Sequence, residues 1–267
     1  MTREYRLQWL RPDEVAEERT RYPLIYLPLG TLEWHGPHLP LGTDPLQAEH
    51  TALALAAKIG GVVHPTLYLG TERERSPELL RDLGFSGEEW IVGMDFPANS
   101  ERSYYYAEDA FAIMIRFTLE QLAAHGYRLI VIVNGHGATN QIQHLQRLAA
   151  EFSQRGPAKV LYTFDLDAQT DDDAGHATIT ETAAVMALDQ TRVDLDRLPP
   201  LDQPLRNIEH AIVDAPTFGG QPESERTVRA PADPRHATVE LGQKHFADTV
   251  DRISSLILNE LNHLLQA

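Results

Sequence analysis

The run Leu129-Ile130-Val131-Ile132-Val133 constrains the fold of this chain more than any other feature. Apolar side chains at consecutive strand positions point to both faces, so both must be covered, as in a parallel sheet between helices. Leu24-Ile25-Tyr26-Leu27-Pro28-Leu29-Gly30 and Lys159-Val160-Leu161-Tyr162-Thr163-Phe164 read as further strands, and Gly61-Val62-Val63-His64-Pro65 as a short one. Between them apolar residues recur at helical spacing. Leu46, Ala48, Ala52, Leu53, Leu55 and Ala56 mark one helix, and Ile142, Leu145, Leu148, Ala149 and Phe152 another. A long amphipathic helix is expected from Tyr104 to the stop signal His125-Gly126, one from about Glu181 to Leu188, and a last from Val239 to Leu265. Strands alternating with helices predict an α/β fold whose open, mostly parallel sheet is covered on both faces.

The chain has 267 residues, 42% of them hydrophobic, with no repeat and no linker-like shift in composition. A single domain over residues 1–267 is therefore expected. Residues 70–102 lack clear periodicity and read as a long excursion over the surface or the site. Residues 199–236 are proline-rich and read as ordered loops with a short strand pair. Lys plus Arg is 23 against 39 Asp plus Glu, a formal charge of −16, which repels nucleic acid and anionic membranes alike. With no cysteine, disulfides and thiolate metal sites are excluded. The opening Met1-Thr2-Arg3-Glu4-Tyr5 is charged, unlike a signal peptide, and the apolar runs fall far short of the ~20 residues a spanning helix needs. A cytoplasmic protein with a small-molecule substrate is the default expectation.

In such a sheet ligands gather beyond the carboxyl ends of the strands. Three strand-ending loops here are rich in imidazole and carboxylate: the first supplies Glu33, His35 and Asp44, the second His136, the third Asp165, His176 and Glu181. Without cysteine these are the ligands left for a divalent ion such as Zn²⁺, Mn²⁺ or Fe²⁺. Glu33 and His35, two apart in an extended segment, share one side of the backbone and either serve two ions or chelate one. Asp44, before Pro45, is either a helix N-cap or a bridge between two ions ~3.5–4 Å apart. Asn134-Gly135-His136-Gly137 is either a plain turn or a ligand loop, and its place directly after a β-branched strand favours the latter.

Leu29 to Asp44 resembles the N-terminal signature of the creatininase (creatinine amidohydrolase) family. Asn134-Gly135-His136-Gly137-Ala138-Thr139-Asn140 resembles its second signature, Gly175-His176-Ala177 through Glu181-Thr182 its third, and Asp233-Pro234 with Glu240-Leu241-Gly242 a segment near its end. The order matches and spans roughly residues 20–250. The resemblance implies a three-layer α/β/α fold, a homo-oligomer of hexamer size or smaller, and an amidohydrolase-type site with one or two divalent ions (Zn, Mn or Fe). It makes Glu33, His35, Asp44, His136 and Glu181 the metal ligands, with Asp44 bridging when two ions bind. Catalysis then falls to His176 as a proton carrier and to Glu33. The metal polarises a carbonyl and lowers the pKa of its water toward ~7.

The chain also departs from that pattern. Creatininase carries glutamates where this chain has Ala138 and Gly175, and the segments Gly70–Ser76 and Phe96–Ser100 differ from the family's runs. Creatinine is therefore not the expected substrate. A metal-bound hydroxide attacking the carbonyl of a small cyclic amide or formamide is the leading expectation. Ring opening of a cyclic polyol ketone of inosose type is the alternative, with a non-catalytic small-molecule-binding protein as a third. Arg73, Asn99 and Tyr104 are the expected substrate-binding residues, although the tyrosines of 104–106 suit helix packing equally.

Overall fold

The computed structural model describes residues 3–165, 175–208, 211–213, 228 and 230–266. Strand β1 (Leu24–Gly30) is buried along its whole length, as is its neighbour Leu129–Asn134, and both owe this to their uninterrupted apolar runs. Numbered in chain order, the strands are β1, β2 (Val62–Val63), β3 (Leu67–Tyr68), β4 (Leu129–Asn134) and β5 (Lys159–Phe164). They form one parallel sheet in the order β2-β1-β4-β5, with β3 pairing the far end of β1. Leu24 faces Leu129 and Leu29 faces Asn134, so β1 and β4 end side by side.

Parallel neighbours need crossovers, and the helices supply them. After α1 (Pro12–Arg21) come α2 (Thr43–Ile59) between β1 and β2, the short α3 (Pro77–Asp82) and α4 (Glu108–Ala124) before β4, and α5 (Thr139–Arg155) between β4 and β5. Helices α6 (Ile179–Asp189) and α7 (Val239–Gln266) close the chain. Alternate strand residues divide between the two sides. Ile25, Leu27, Leu29, Ile130 and Ile132 pack on Phe111, Ile115 and Leu119 of α4 and Leu145 and Leu148 of α5. Tyr26, Val131 and Val133 pack on Ala48, Ala52 and Leu55 of α2 and Val250, Ile253 and Ile257 of α7. The architecture is three-layer α/β/α.

Two sequence expectations are corrected. Helix α4 starts at Glu108, not Tyr104: Tyr104 to Tyr106 are extended, with Tyr105 bridged to Gly70 and the Tyr106 N–H donating to the Gly70 carbonyl. Asp44 does not cap α2, which starts at Thr43 behind Gly42, so its carboxylate is free for another task. Leu80, Leu83, Ile91 and Phe96 of the 70–102 excursion are buried together with Trp34, which ties the excursion to the loop after β1. The strand pair expected in 199–236 is present as Arg206–Ile208 against Ala211–Val213. The acidic turn at 166–174 and most of 209–229 lie outside the described residues.

Helix α7 crosses α6 at Gly242, where a Cβ would lie 1.9 Å from the Ala183 carbonyl oxygen. Only glycine permits that approach, and it seats the helix that carries Glu181. Among the described residues no helix is long and apolar enough to cross a membrane.

Candidate metal centre

The loops leaving β1 and β4 and the first turns of α2 and α6 meet beyond the carboxyl end of the sheet. Gly30 and Gly135 flank the start of α2. A Cβ on Gly30 would fall 2.7 Å from Asp44 Cβ, and one on Gly135 would fall 2.2 Å from the Asp44 carbonyl oxygen. With hydrogen in place of a side chain on both strand ends, Asp44 comes between the Glu33–His35 loop and His136.

Glu33, His35, Asp44, His136 and Glu181 are all buried. Asp44 turns its two oxygens to different imidazoles: Oδ1 is 2.8 Å from His35 Nε2 and Oδ2 is 3.0 Å from His136 Nδ1. His35 Nε2 also lies 3.7 Å from Glu181 Oε1, and His136 Nδ1 lies 3.1 Å from Glu33 Oε2. Three candidate ligand triads result: His35–Asp44–Glu181 and Glu33–Asp44–His136, with Asp44 common to both, and Glu33–His35–His176 beside them. Atoms about 2.1 Å from one tetrahedral ion are about 3.4 Å apart, and the observed separations bracket that spacing.

Hydrogen bonds orient these donors. His35 Nδ1 lies 3.0 Å from the Glu33 carbonyl oxygen, which can only accept, so the neutral ring keeps its lone pair on Nε2. That lone pair then faces two carboxylate oxygens, a repulsive arrangement unless a proton or a cation intervenes. Glu181 accepts the Ala177 N–H through Oε2 and offers Oε1 to the cluster. Ala177, fully buried, has a φ of 58°, a left-handed conformation that costs about 1 kcal/mol or more and is held here beside Glu181. An amide chain supports His136: Gln141 Oε1 accepts the Thr71 N–H, Gln141 Nε2 donates to Asn134 Oδ1, and Asn134 Nδ2 donates to the His136 carbonyl.

The electrostatics point the same way. Burial raises the Glu33 and Asp44 carboxyls, but the surrounding imidazoles together (His136, His176 and His35 for the first, His35 and His136 for the second) hold both below the usual range. Burial depresses His35 and His136, yet Asp44 with Glu181 lifts the first and Glu33 with Asp44 the second well above ordinary histidine. Three buried carboxylates facing two buried imidazoles make a candidate cation site whose nitrogen and oxygen donors suit a divalent transition metal.

His176 lies against this cluster. Its Nε2 donates to the Trp34 carbonyl, and its Nδ1 is 3.7 Å from Glu33 Oε2. Burial and the neighbouring His35 push its pKa down, so the ring is neutral and Nδ1 holds a lone pair toward the cluster. Its ring centroid is 4.1 Å from that of His35. The expected substrate-binding residues sit farther out. Arg73 pairs with Glu108 at 2.7 Å, Asn99 donates to the Met94 carbonyl at 2.6 Å, and Tyr104 is 60% exposed. Two further residues of the polar middle segment reach the cluster itself: Tyr105, whose hydroxyl donates to Glu33 Oε1, and Glu72, a half-buried carboxylate that burial raises and that lies near both His136 and Glu33. A helical reading of 104–126 assigns the tyrosines to helix packing, whereas the extended backbone before Glu108 turns Tyr105 toward Glu33.

Residues 8–257 match the sequence profile of the creatininase family, described as creatinine amidohydrolase. The chain belongs to the creatininase family. Among curated relatives, a mycofactocin precursor peptide peptidase of Mycobacterium tuberculosis (strain CDC 1551 / Oshkosh) is 30% identical over 43% of this chain and 41% of its own length. The match thus spans about two fifths of that relative. The protein of the same name from Mycobacterium ulcerans (strain Agy99) is 28% identical over 88% of this chain and 85% of its own. Creatinine amidohydrolase of Pseudomonas putida is 26% identical over 66% and 68%. The relatives' names are all hydrolase activities. A crystal structure of creatinine amidohydrolase superposes with a TM-score of 0.68 at 22% identity, covering 97% of this chain and 98% of that one. A Zn-Zn form and a Mn form of creatininase superpose with TM-scores of 0.67, at 22% and 21% identity, each covering 97% of this chain and 99% of that one. This likeness establishes the creatininase fold.

Proposed function

We propose that this chain is a metal-dependent hydrolase of a C–N bond in a small cyclic amide or formamide. One observation carries the reading: Asp44, buried, divides its two carboxylate oxygens between His35 and His136, with Glu181 on one side and Glu33 on the other. His35, Asp44 and Glu181 would hold one divalent ion and Glu33, Asp44 and His136 a second, Zn²⁺ or Mn²⁺ by analogy with the related structures. When bound, such ions supply Lewis acidity and an acidified water.

The remaining work belongs to side chains. His176 Nδ1 is placed to accept a proton from the attacking water and pass it to the departing nitrogen, while Nε2, held by the Trp34 carbonyl, fixes the ring. Trp34, stacked against His176 at 6.4 Å between ring centroids and packed on the core of the excursion, keeps bulk water from that ring. Ala138, 7% exposed, offers a methyl where creatininase carries a carboxylate, which argues against creatinine.

A second reading, hydrolysis of a peptide amide, is favoured by the match to the Mycobacterium ulcerans peptidase over most of this chain. Metal analysis of purified protein, followed by turnover on cyclic amides, formamides, short peptides and inosose-type ketones, tests both. Release of an amine or formate supports C–N hydrolysis, with peptide-only turnover selecting the second reading. A new carboxylate without nitrogen release would instead mean ring opening at a C–C bond. Protein that binds no transition metal would overturn the metal reading.

A further inference from the structure

The phenol of Tyr105 touches two of the proposed ligands. Its O–H donates to Glu33 Oε1, and its ring lies beside His136 with centroids 6.2 Å apart. The Met94 N–H donates to the phenol oxygen at 3.2 Å. With that lone pair engaged, the phenol's own hydrogen goes to Glu33, whose ionised carboxylate can only accept. Oε1 is thus taken by the protein. Oε2 is the oxygen that faces His136 Nδ1 at 3.1 Å and His176 Nδ1 at 3.7 Å.

The segment around Tyr105 is built for this contact. The backbone of Tyr105 pairs with Gly70, and the Tyr104 N–H donates to the Leu32 carbonyl at 2.8 Å, tying the strand to the Glu33 loop. Gly93 makes the room: a Cβ there would lie 2.6 Å from the Tyr105 hydroxyl oxygen, and its φ of +51° disfavours any other residue.

We propose that Tyr105 is a positioning residue that restricts Glu33 to one ligand oxygen and sets its angle beside His136. The inference rests on the metal reading above. Without the phenol, Glu33 can turn and offer both oxygens to one ion, which changes the coordination number at the Glu33–Asp44–His136 position while leaving His35–Asp44–Glu181 intact.

Titration of the metal-free full chain with Co²⁺, read by visible absorption and by chelator competition, tests it in Tyr105→Phe, which keeps the ring. Loss of a partner that orients a metal ligand weakens binding by about 10- to 100-fold. We expect that loss for one of two Co²⁺ ions, with an altered d–d spectrum and an unchanged unfolding midpoint of the metal-free protein. A Tyr105→Phe protein with wild-type Co²⁺ affinity and spectrum overturns the assignment of Tyr105 and leaves the metal reading standing. Wild-type protein that binds no Co²⁺ overturns both. Should the variant not fold, 3-fluorotyrosine at position 105 keeps the shape and strengthens the donor. An altered Co²⁺ spectrum then supports the assignment, and an unaltered one refutes it.

Discussion

Replacing Gly135 by alanine should damage the metal centre without touching a ligand. The new Cβ would lie 2.2 Å from the Asp44 carbonyl oxygen and 2.8 Å from its carbonyl carbon, both backbone atoms that no rotamer change can move aside. Ordinary contact begins near 3.4 Å, so the β4–α5 loop and the start of α2 must separate by about 1.2 Å. Overpacking of this kind costs about 1–3 kcal/mol. The separation falls between His136, which follows Gly135, and Asp44, whose oxygen is 3.0 Å from the His136 ring. A displacement of about 1 Å in a reacting constellation costs on the order of 100-fold in rate. Chemical denaturation of the metal-free protein should show the stability loss, and chelator competition a metal affinity at least about tenfold weaker. Gly137→Ala is the internal control, because its Cβ would meet only Phe164 Cζ at 3.6 Å, and it should stay within about 0.5 kcal/mol of wild type. Wild-type stability and affinity in Gly135→Ala would refute the account of how Asp44 is positioned.

Glu33→Gln should abolish turnover while circular dichroism and the unfolding midpoint remain those of a folded protein, and retained activity would remove Glu33 from the site. In the metal-free protein the raised pKa values of His35 and His136 give stability that is full below about pH 6.5 and is lost as pH rises through those raised values. The depressed carboxyls of Glu33 and Asp44 give stability present above about pH 4 and lost as pH falls through their lowered values. Metal binding, which needs neutral imidazoles, should therefore strengthen with rising pH and release protons, and calorimetry in buffers of different ionisation enthalpy would count them. Arg235→Met should destabilise the chain by about 1–3 kcal/mol in urea unfolding. Its guanidinium pairs with Asp233 at 2.6 Å, and the variant leaves that buried carboxylate without its charged partner.

Much of the layer structure was legible because it is repeated in local pattern. The apolar run 129–133 announces a strand buried on both faces, and the helical spacing of Leu145, Leu148 and Ala149 announces the helix that covers it. The ligand loops were legible for a related reason: His136 stands two residues beyond a strand end and Asp44 at a helix start, both set by the chain's own geometry. The boundary at Tyr104 was not. Tyr104 to Tyr106 fit a helix as well as a strand, and the choice fell to the Glu33 carboxylate and the Gly70 backbone, which are distant in sequence.

The amino-acid sequence by itself determined the alternation of strands and helices, the family, and the residue types able to hold a metal, because each is a property of short segments. Tertiary structure alone decided how those residues are used. It gave each oxygen of Asp44 its own imidazole, spent one oxygen each of Glu33 and Glu181 on hydrogen bonds, turned Arg73 toward Glu108, and brought Tyr105 inward. The reason is physical. Which atom of a carboxylate or imidazole is free depends on what the other atom touches, and here those contacts join segments separated by up to about 150 residues.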